Sequence, residues 1–300
     1  MTDSTVIAVS VALVTRRLTP DVARLSARLV ALGCGEGCEV LVFAEDDAVA
    51  APAPREPLDV GAQLVRIPHG RGLGYNRNRA IELSRGETIV FVDDDCSPAE
   101  NWFGQLLAPL ADTEIAAVMG NVHIPPSTFL GDSISALGFP GGGSAGFAVM
   151  FGVDERGFTD HLSTLNCAIR RRVLDGVGGF DETMTFGAED GELSYRIRQA
   201  GYRIKFQPTA VVDHAARTSL SEFTRWFFRR GRAAYQFSRR AKAGAVIGRR
   251  LRSYKTIVRQ NARDAKLLAI VPLLIASVVL QEAGFAWEWA FGRDNARMPG

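Results

Sequence analysis

The stretch Glu87 to Ser97, ETIVFVDDDCS, decides the fold. Thr88 to Val92 is a short apolar run rich in β-branched residues, the length of a strand buried on both faces of a parallel sheet. It runs into three consecutive carboxylates, Asp93, Asp94 and Asp95. In open α/β sheets, ligands bind at the carboxyl ends of the strands. Three adjacent like charges repel, and a cation is the simplest way to hold them. Their hard oxygen ligands favour magnesium or manganese, which commonly bridges a carboxylate to substrate phosphate. Taken alone, the stretch also reads as an acidic turn after a strand.

Upstream, Val6 to Val14 is a first buried strand. Pro20 opens a helix at its favoured first-turn position, with Thr19 as N-cap, and Val22, Leu25, Leu29 and Leu32 share one face. Cys38 to Ala44 is a second strand, again closed by acids (Glu45, Asp46, Asp47). Gln63 to Ile67 is a third strand, and Asn76 to Ser84 continues the glycine-rich Gly70 to Gly74 as a helix. Strands alternating with helices make a doubly wound α/β sheet.

Downstream, Pro98 is expected to open a helix, and Ile115 to Met119 is a strand. Phe129 to Phe147 is rich in glycine and reads equally as a flexible lid or an inert loop. Leu165 to Val173 leads to GGFDE (Gly178–Glu182). Glu189 and Asp190 open a helix ending at Gly201, where the dipole favours negative charge. Tyr202 to Gln207 and Ala210 to Val212 read as two short strands, the second closing at Asp213-His214.

The 300 residues exceed one typical domain, and their net charge of +2 hides an asymmetry. Between Ala216 and Lys266 stand fifteen Lys or Arg and two acids, an excess of thirteen, so the remainder carries −11. The pattern suggests an acidic body, 1–215, and a basic helical extension, 216–300, meeting an anionic surface. In that extension Phe223, Trp226, Phe227 and Tyr235 interleave with Arg225, Arg229, Arg230 and Arg232. Nucleic acid is one reading, and an amphipathic helix on anionic lipid fits as well. Leu267 to Leu280 is uncharged for fourteen residues, short of the roughly twenty that a span needs. An interfacial helix or hairpin is the favoured reading, beside a helical element packed on the body or a homodimer contact. Four cysteines, Cys34, Cys38, Cys96 and Cys167, are expected to be reduced thiols. The apolar run Val6 to Val14 has no basic region before it and no clear cleavage site after it. No signal peptide is expected, and the location is expected to be cytoplasmic, peripheral at the membrane's cytoplasmic face.

The order of these segments resembles the family-two glycosyltransferases of the GT-A fold, over about Val6 to His214. Asn166, Gly178-Gly179-Phe180-Asp181-Glu182, Glu189-Asp190 and Arg196 to Gly201 (RIRQAG) carry it most specifically. The resemblance implies a Rossmann-like, mostly parallel sheet and an inverting transfer of sugar from a nucleotide-diphosphate sugar to an acceptor hydroxyl. Carried over, Asp93 and Asp95 match the outer acids of an Asp-x-Asp motif holding Mg2+ or Mn2+, and His214 completes that site. Thr15 and Asp94 fall with the nucleotide contacts. Glu45 or Asp46 matches the base-binding acid, with Asp46 preferred. Arg77 and Asn78 match a pair beside the nucleotide. Asp190 matches the catalytic base, and Asp181 and Glu189 line the acceptor side. The sequence departs from the family's pattern at Val14, at EDDAVA after the second strand, and at Glu192. The acceptor stays open, with a lipid-linked one slightly favoured, and no nucleic-acid partner is expected. The rivals are a haloacid-dehalogenase-type phosphatase, whose acids follow the first strand, and an inert binding module.

Overall fold

Ten strands share one sheet, in a computed structural model that describes residues 7–33, 37–58, 60–240, 253–262 and 266–292. The strands are β1 (Val9–Thr15), β2 (Cys38–Asp46), β3 (Glu56–Pro57), β4 (Gln63–Pro68), β5 (Thr88–Asp93), β6 (Cys96–Pro98), β7 (Ile115–His123), β8 (Phe158–Thr159), β9 (Asn166–Arg170) and β10 (Arg203–His214). Their order is β3-β4-β2-β1-β5-β9-β7-β10-β6, with β8 paired to β10. Strands β4, β2, β1 and β5 run parallel, as do β7 and β10, and β9 runs antiparallel between the two blocks. The β-branched and leucine runs of β1, β2 and β5 are buried throughout their centres, as parallel strands require.

The helices are α1 (Pro20–Ala31), α2 (Leu73–Leu83), α3 (Trp102–Leu107), α4 (Phe129–Ser135), α5 (Phe147–Phe151), α6 (Arg171–Val177), α7 (Glu189–Gln199), α8 (Leu220–Ser238), α9 (253–260) and α10 (Leu267–Phe291). Thr19 caps α1 as expected, its hydroxyl accepting from the Val22 N–H at 3.3 Å.

Three expectations are corrected. Pro98 closes β6 rather than opening a helix. At the edge of the sheet its missing N–H costs no ladder bond, and the helix waits until Trp102. The two short strands after Tyr202 are one strand, β10, whose register against β7 shifts between Gln207 and Val211, around Pro208. Cys38 is disulfide-bonded, so the expectation of reduced thiols holds for Cys96 and Cys167, both buried and free. Cys34 lies outside the described residues.

Side chains add to the backbone ladders that join the two blocks through β9. The Asn166 amide donates to the carbonyls of Asn121 (2.8 Å) and Ala210 (2.9 Å), and its oxygen accepts from the Trp102 indole (2.8 Å). Both its donors and one of its two acceptor lone pairs are thereby spent on β7, β10 and α3. Arg171 donates to the carbonyls of Ile81, Ser84 and Gly86, meeting the orphan acceptors at the end of α2.

A second apolar cluster joins α4 to the C-terminal helices: Ile134 and Leu137 meet Phe223, Phe227, Ile257 and Ile270. The glycine-rich segment is therefore packed rather than free. Gly143, at φ +59°, lies so close to the Ser135 carbonyl that a Cβ would collide with it. Helices α8 and α10 touch backbone to backbone, because Gly231 faces the Gln281 carbonyl and Gly284 faces that of Phe228. Among the described residues, α10 alone is long and apolar enough to cross a membrane. At 25 residues it extends about 37 Å, well past the fourteen-residue run legible in the sequence.

Candidate active site

Strands β1, β2 and β5 end side by side, with Val14 opposite Asp93 and Thr15 opposite Ala44. The three acids after β5 then part company. Asp93 points to Arg77, its Oδ1 3.5 Å from Nη2. Asp94 Oδ2 accepts from the Thr15 hydroxyl at 2.6 Å. Asp95 Oδ1 lies 3.0 Å from His214 Nε2, because the antiparallel β6–β10 ladder pairs His214 with Cys96.

Burial pushes Asp93 up to about 6, a rise that Arg77 opposes and Asp95 reinforces. Burial raises Asp94 as well, against the Thr15 hydrogen bond. Asp95 goes the other way: burial opposes its charge, but His214 and Arg217 outweigh burial and hold it low. Burial likewise works against the His214 imidazolium, and the hydrogen bond and charge of Asp95 raise it above the ordinary value. His214 Nδ1 contacts the Ala215 carbonyl at 2.8 Å, which fixes the ring with Nε2 toward Asp95.

The ligand atoms of Asp95, Cys96 and His214 fall within 4.8 Å of one another. This differs from the expected trio of Asp93, Asp95 and His214, since Asp93 is turned toward Arg77. Cys96 is a poor ligand for a hard cation. Burial holds its thiol well above the ordinary value, and its sulfur donates to the Leu165 carbonyl at 3.6 Å.

Across the cleft, Ala188 adopts φ +65°, an uncommon conformation for a non-glycine residue. It delivers Glu189 and Asp190 at the start of α7. Glu189 is 4% exposed; one of its oxygens pairs with Arg77 Nη1, while the other, also buried, has no partner. Burial raises both Glu189 and Asp190, Arg77 opposing it in each case. Asp190 Oδ1 accepts from the Gly191 N–H at 2.7 Å. One buried guanidinium, that of Arg77, therefore faces Asp93 on one side and Glu189 and Asp190 on the other.

The other expected residues divide. Glu45 lies two residues beyond Phe43, which shares its register row with Val14 and Asp93, so Glu45 shares the Asp93 face. It accepts from Asn76 of α2 at 2.7 Å and lies 2.8 Å from His69. Asp46 is on the other face, held by Arg66 and the Ala48 N–H, both at 2.8 Å. The geometry thus favours Glu45 over the preferred Asp46 as the acid beside the cleft. Asn78 spends its amide on Phe180, donating to the carbonyl at 2.9 Å and accepting from the N–H at 2.8 Å, so it fastens the GGFDE loop instead of facing a nucleotide. Arg196 fastens the same loop through the Val177 and Gly179 carbonyls while holding Glu192. Asp181 bonds Thr183 and pairs with Arg240, beyond the end of α8.

The basic residues in and beside α8 that act on these acids are what sequence reasoning missed. The charge of Arg217, just before α8, favours the ionised form of Asp95, that of Arg230 favours ionised Asp190, and Arg229 and Glu189 attract each other, so several basic residues assigned to an outside surface lie within electrostatic range of these acids. Phe223 and Phe227 fill the second apolar cluster. The three-residue step between Arg229 and Arg232 was the available signal of one helix face.

The fold is that of a mannosyltransferase from Pyrobaculum calidifontis, solved with GDP-Man and Mn2+. The match has a TM-score of 0.58 at 18% identity and covers 95% of this chain and 88% of that one. Its architecture is GT-A. Among curated proteins, the chain is 28% identical over 199 residues to a pre-mycofactocin glycosyltransferase of Mycobacterium tuberculosis, covering 62% of this chain and 39% of that protein. It is 28% identical over 165 residues to the glycosyltransferase AglE of Haloferax volcanii (53% and 49%). A glucosyl-dolichyl phosphate glucuronosyltransferase of the same organism matches at 27% over 172 residues (53% and 52%). The chain spans about half the length of these relatives or less. Residues 12–235 match the family model described as glycosyltransferase like family 2, and the chain belongs to that family.

Proposed function

We propose that the chain transfers a hexose from a nucleoside-diphosphate sugar to an acceptor hydroxyl with inversion, and that Asp190 takes the proton. The observation that carries this reading is the Arg77 guanidinium, which gathers Asp93 and the Glu189–Asp190 pair round one cleft. Burial makes Asp190 more basic than an ordinary aspartate, which suits a group that must accept a proton near neutral pH. The base comes from the start of α7 and the acids from the end of β5, and separate segments suit an attack on the face away from the leaving group. Thr15 and Asp94 lie on the nucleotide side, and Glu45 is the acid proposed to meet the base. Asp181 and Glu189 are assigned to the acceptor side. The phosphatase alternative loses its footing, since the acids follow β5 while the first strand ends at Thr15.

A divalent cation fits the donor set. Asp95 and His214 Nε2 converge, the imidazole is oriented by Ala215, and Asp93 lies within electrostatic range of His214. A nitrogen donor favours Mn2+ over Mg2+. Bound there, the ion would offset the charge collecting on the departing diphosphate.

The test is a thermal-shift screen of nucleotide sugars with and without Mn2+, followed by release of nucleoside diphosphate. A specific donor must raise the apparent stability. Because Asp93 titrates near 6, protons compete with metal below that pH. The Mn2+-dependent rise in Tm is therefore expected to be larger at pH 7.5 than at pH 5.5. An equal rise at both would remove Asp93 from the metal site.

The outer face of α10 supports peripheral attachment to a bilayer, and with it a lipid-linked acceptor. Leu268, Ile275 and Val279 share that face at 85%, 60% and 61% exposure, and Trp289 near the end is 70% exposed. The inner face is taken by α8, so lipid cannot surround the helix. Flotation with anionic vesicles is expected to carry the full chain. Concentration-dependent dimers that ignore vesicles would assign the same face to a second copy.

A further inference from the structure

Helix α10 is apolar along its length yet places Glu288 on its inner face, 6% exposed. A buried carboxylate is costly, and apolar residues in place of a whole buried ion pair often pack at least as stably. What Glu288 touches supplies the reason for it. Its Oε2 accepts from Arg232 Nε and Nη2, both at 2.8 Å, and its Oε1 accepts from Gln236 Nε2 at 3.2 Å. Both partners belong to α8, and both continue to the loop that precedes the catalytic pair. The Arg232 guanidinium lies 3.6 Å from the centre of the Phe186 ring. Gln236 accepts from the Thr185 N–H at 3.2 Å and donates to the Thr185 hydroxyl at 3.3 Å. Two residues beyond Phe186 the chain enters the left-handed conformation of Ala188, and Glu189 and Asp190 follow.

We propose that Glu288, acting through Arg232 and Gln236, is a positioning residue that fixes the 185–188 loop and so the angle at which Asp190 enters the cleft. The proposal rests on the reading of Asp190 as the base. Without the carboxylate, Arg232 turns to solvent, Phe186 loses its cover, and Gln236 is free to leave Thr185. The loop then relaxes from the strained turn at Ala188, and Asp190 drifts from the line of attack. Displacements of about 1 Å at a reacting group can cost roughly 10²-fold in rate.

The experiment uses the full chain and three variants. Glu288→Met keeps length and packing but removes both acceptors. Glu288→Gln keeps an acceptor for Arg232. Gln236→Leu cuts the link to Thr185 without touching α10. Amide exchange of residues 185–190 is expected to quicken at least about tenfold in Glu288→Met and Gln236→Leu, beyond any rise at the core amides of β1 and β5 that report global stability, and to stay close to wild type in Glu288→Gln. Release of nucleoside diphosphate from the donor is expected to show kcat falling about tenfold or more with donor KM nearly constant. Unchanged exchange in both Glu288→Met and Gln236→Leu, or a rise in KM at constant kcat, overturns the proposal. If wild type releases nucleoside diphosphate from no donor, it is the transferase reading that fails, and the exchange measurement still decides the coupling.

Discussion

Asp190→Asn is expected to bring sugar transfer down by ~10²–10⁴-fold, the usual worth of a positioned general base, while donor affinity stays near wild type. The amide keeps the shape and the contact with the Gly191 N–H but has no basic oxygen. The proposed donor contacts, Thr15, Asp94 and Asp95, are held by one another and by His214 rather than by Asp190, so the substitution leaves them untouched. The measurement is a single-turnover rate with a verified acceptor, set beside a titration of the nucleoside diphosphate. Near-normal turnover would move the base to Glu189, whose second oxygen is buried and unpartnered.

The largest stability effect is expected from Arg77→Met. The guanidinium is 5% exposed and compensates buried carboxylates at Asp93, Glu189 and Asp190. Breaking a buried charge pair by removing one partner typically costs about 3–5 kcal/mol, because the other charge is left behind. The loss has a pH signature with a definite sign. These acids already have raised folded-state values, and without Arg77 they rise further. Protonated acids carry no uncompensated charge, so the deficit shrinks as pH falls through those values and is full above them. Denaturant midpoints at pH 5 and pH 8 check this. A deficit equal at both would mean that packing, not charge, is what Arg77 supplies.

Much of this site was legible because its acids stand at strand and helix ends, where local pattern speaks. The Thr88–Val92 run named β5, Pro20 and Thr19 named the start of α1, and Asp93 to Asp95 and Glu189–Asp190 marked the cleft before any geometry was known. Other residues were legible as family signature but not in their work. Asn166, Asn78 and Arg196 bond backbone groups of segments 45, 102 and 19 residues away, and a carbonyl carries no sequence identity. The Glu45 or Asp46 register needed the pairing of β1, β2 and β5, since one residue's slip exchanges sheet faces. The α8 arginines misled because a basic, aromatic helix looks the same whether it meets lipid or its own protein's acids. Pro272 and the short uncharged run hid the length of α10, because Gln281, Glu282 and Glu288 interrupt the apolar count, and two of the three turn inward.

The glycine crossing of α8 and α10 has a bearing on reach. Where Gly231 meets Gln281, α8 and the thickness of α10 itself separate the proposed catalytic acids from the outer face of α10. Packed helices stand about 8–10 Å apart. Seated on a bilayer, the enzyme would hold its chemistry at a low, constant altitude over the headgroups. An alcohol tethered a few bonds above the lipid would arrive level with Asp190, whereas one at the tip of a long glycan would stand too tall to enter. The molecule would then measure its acceptor by height as well as by shape.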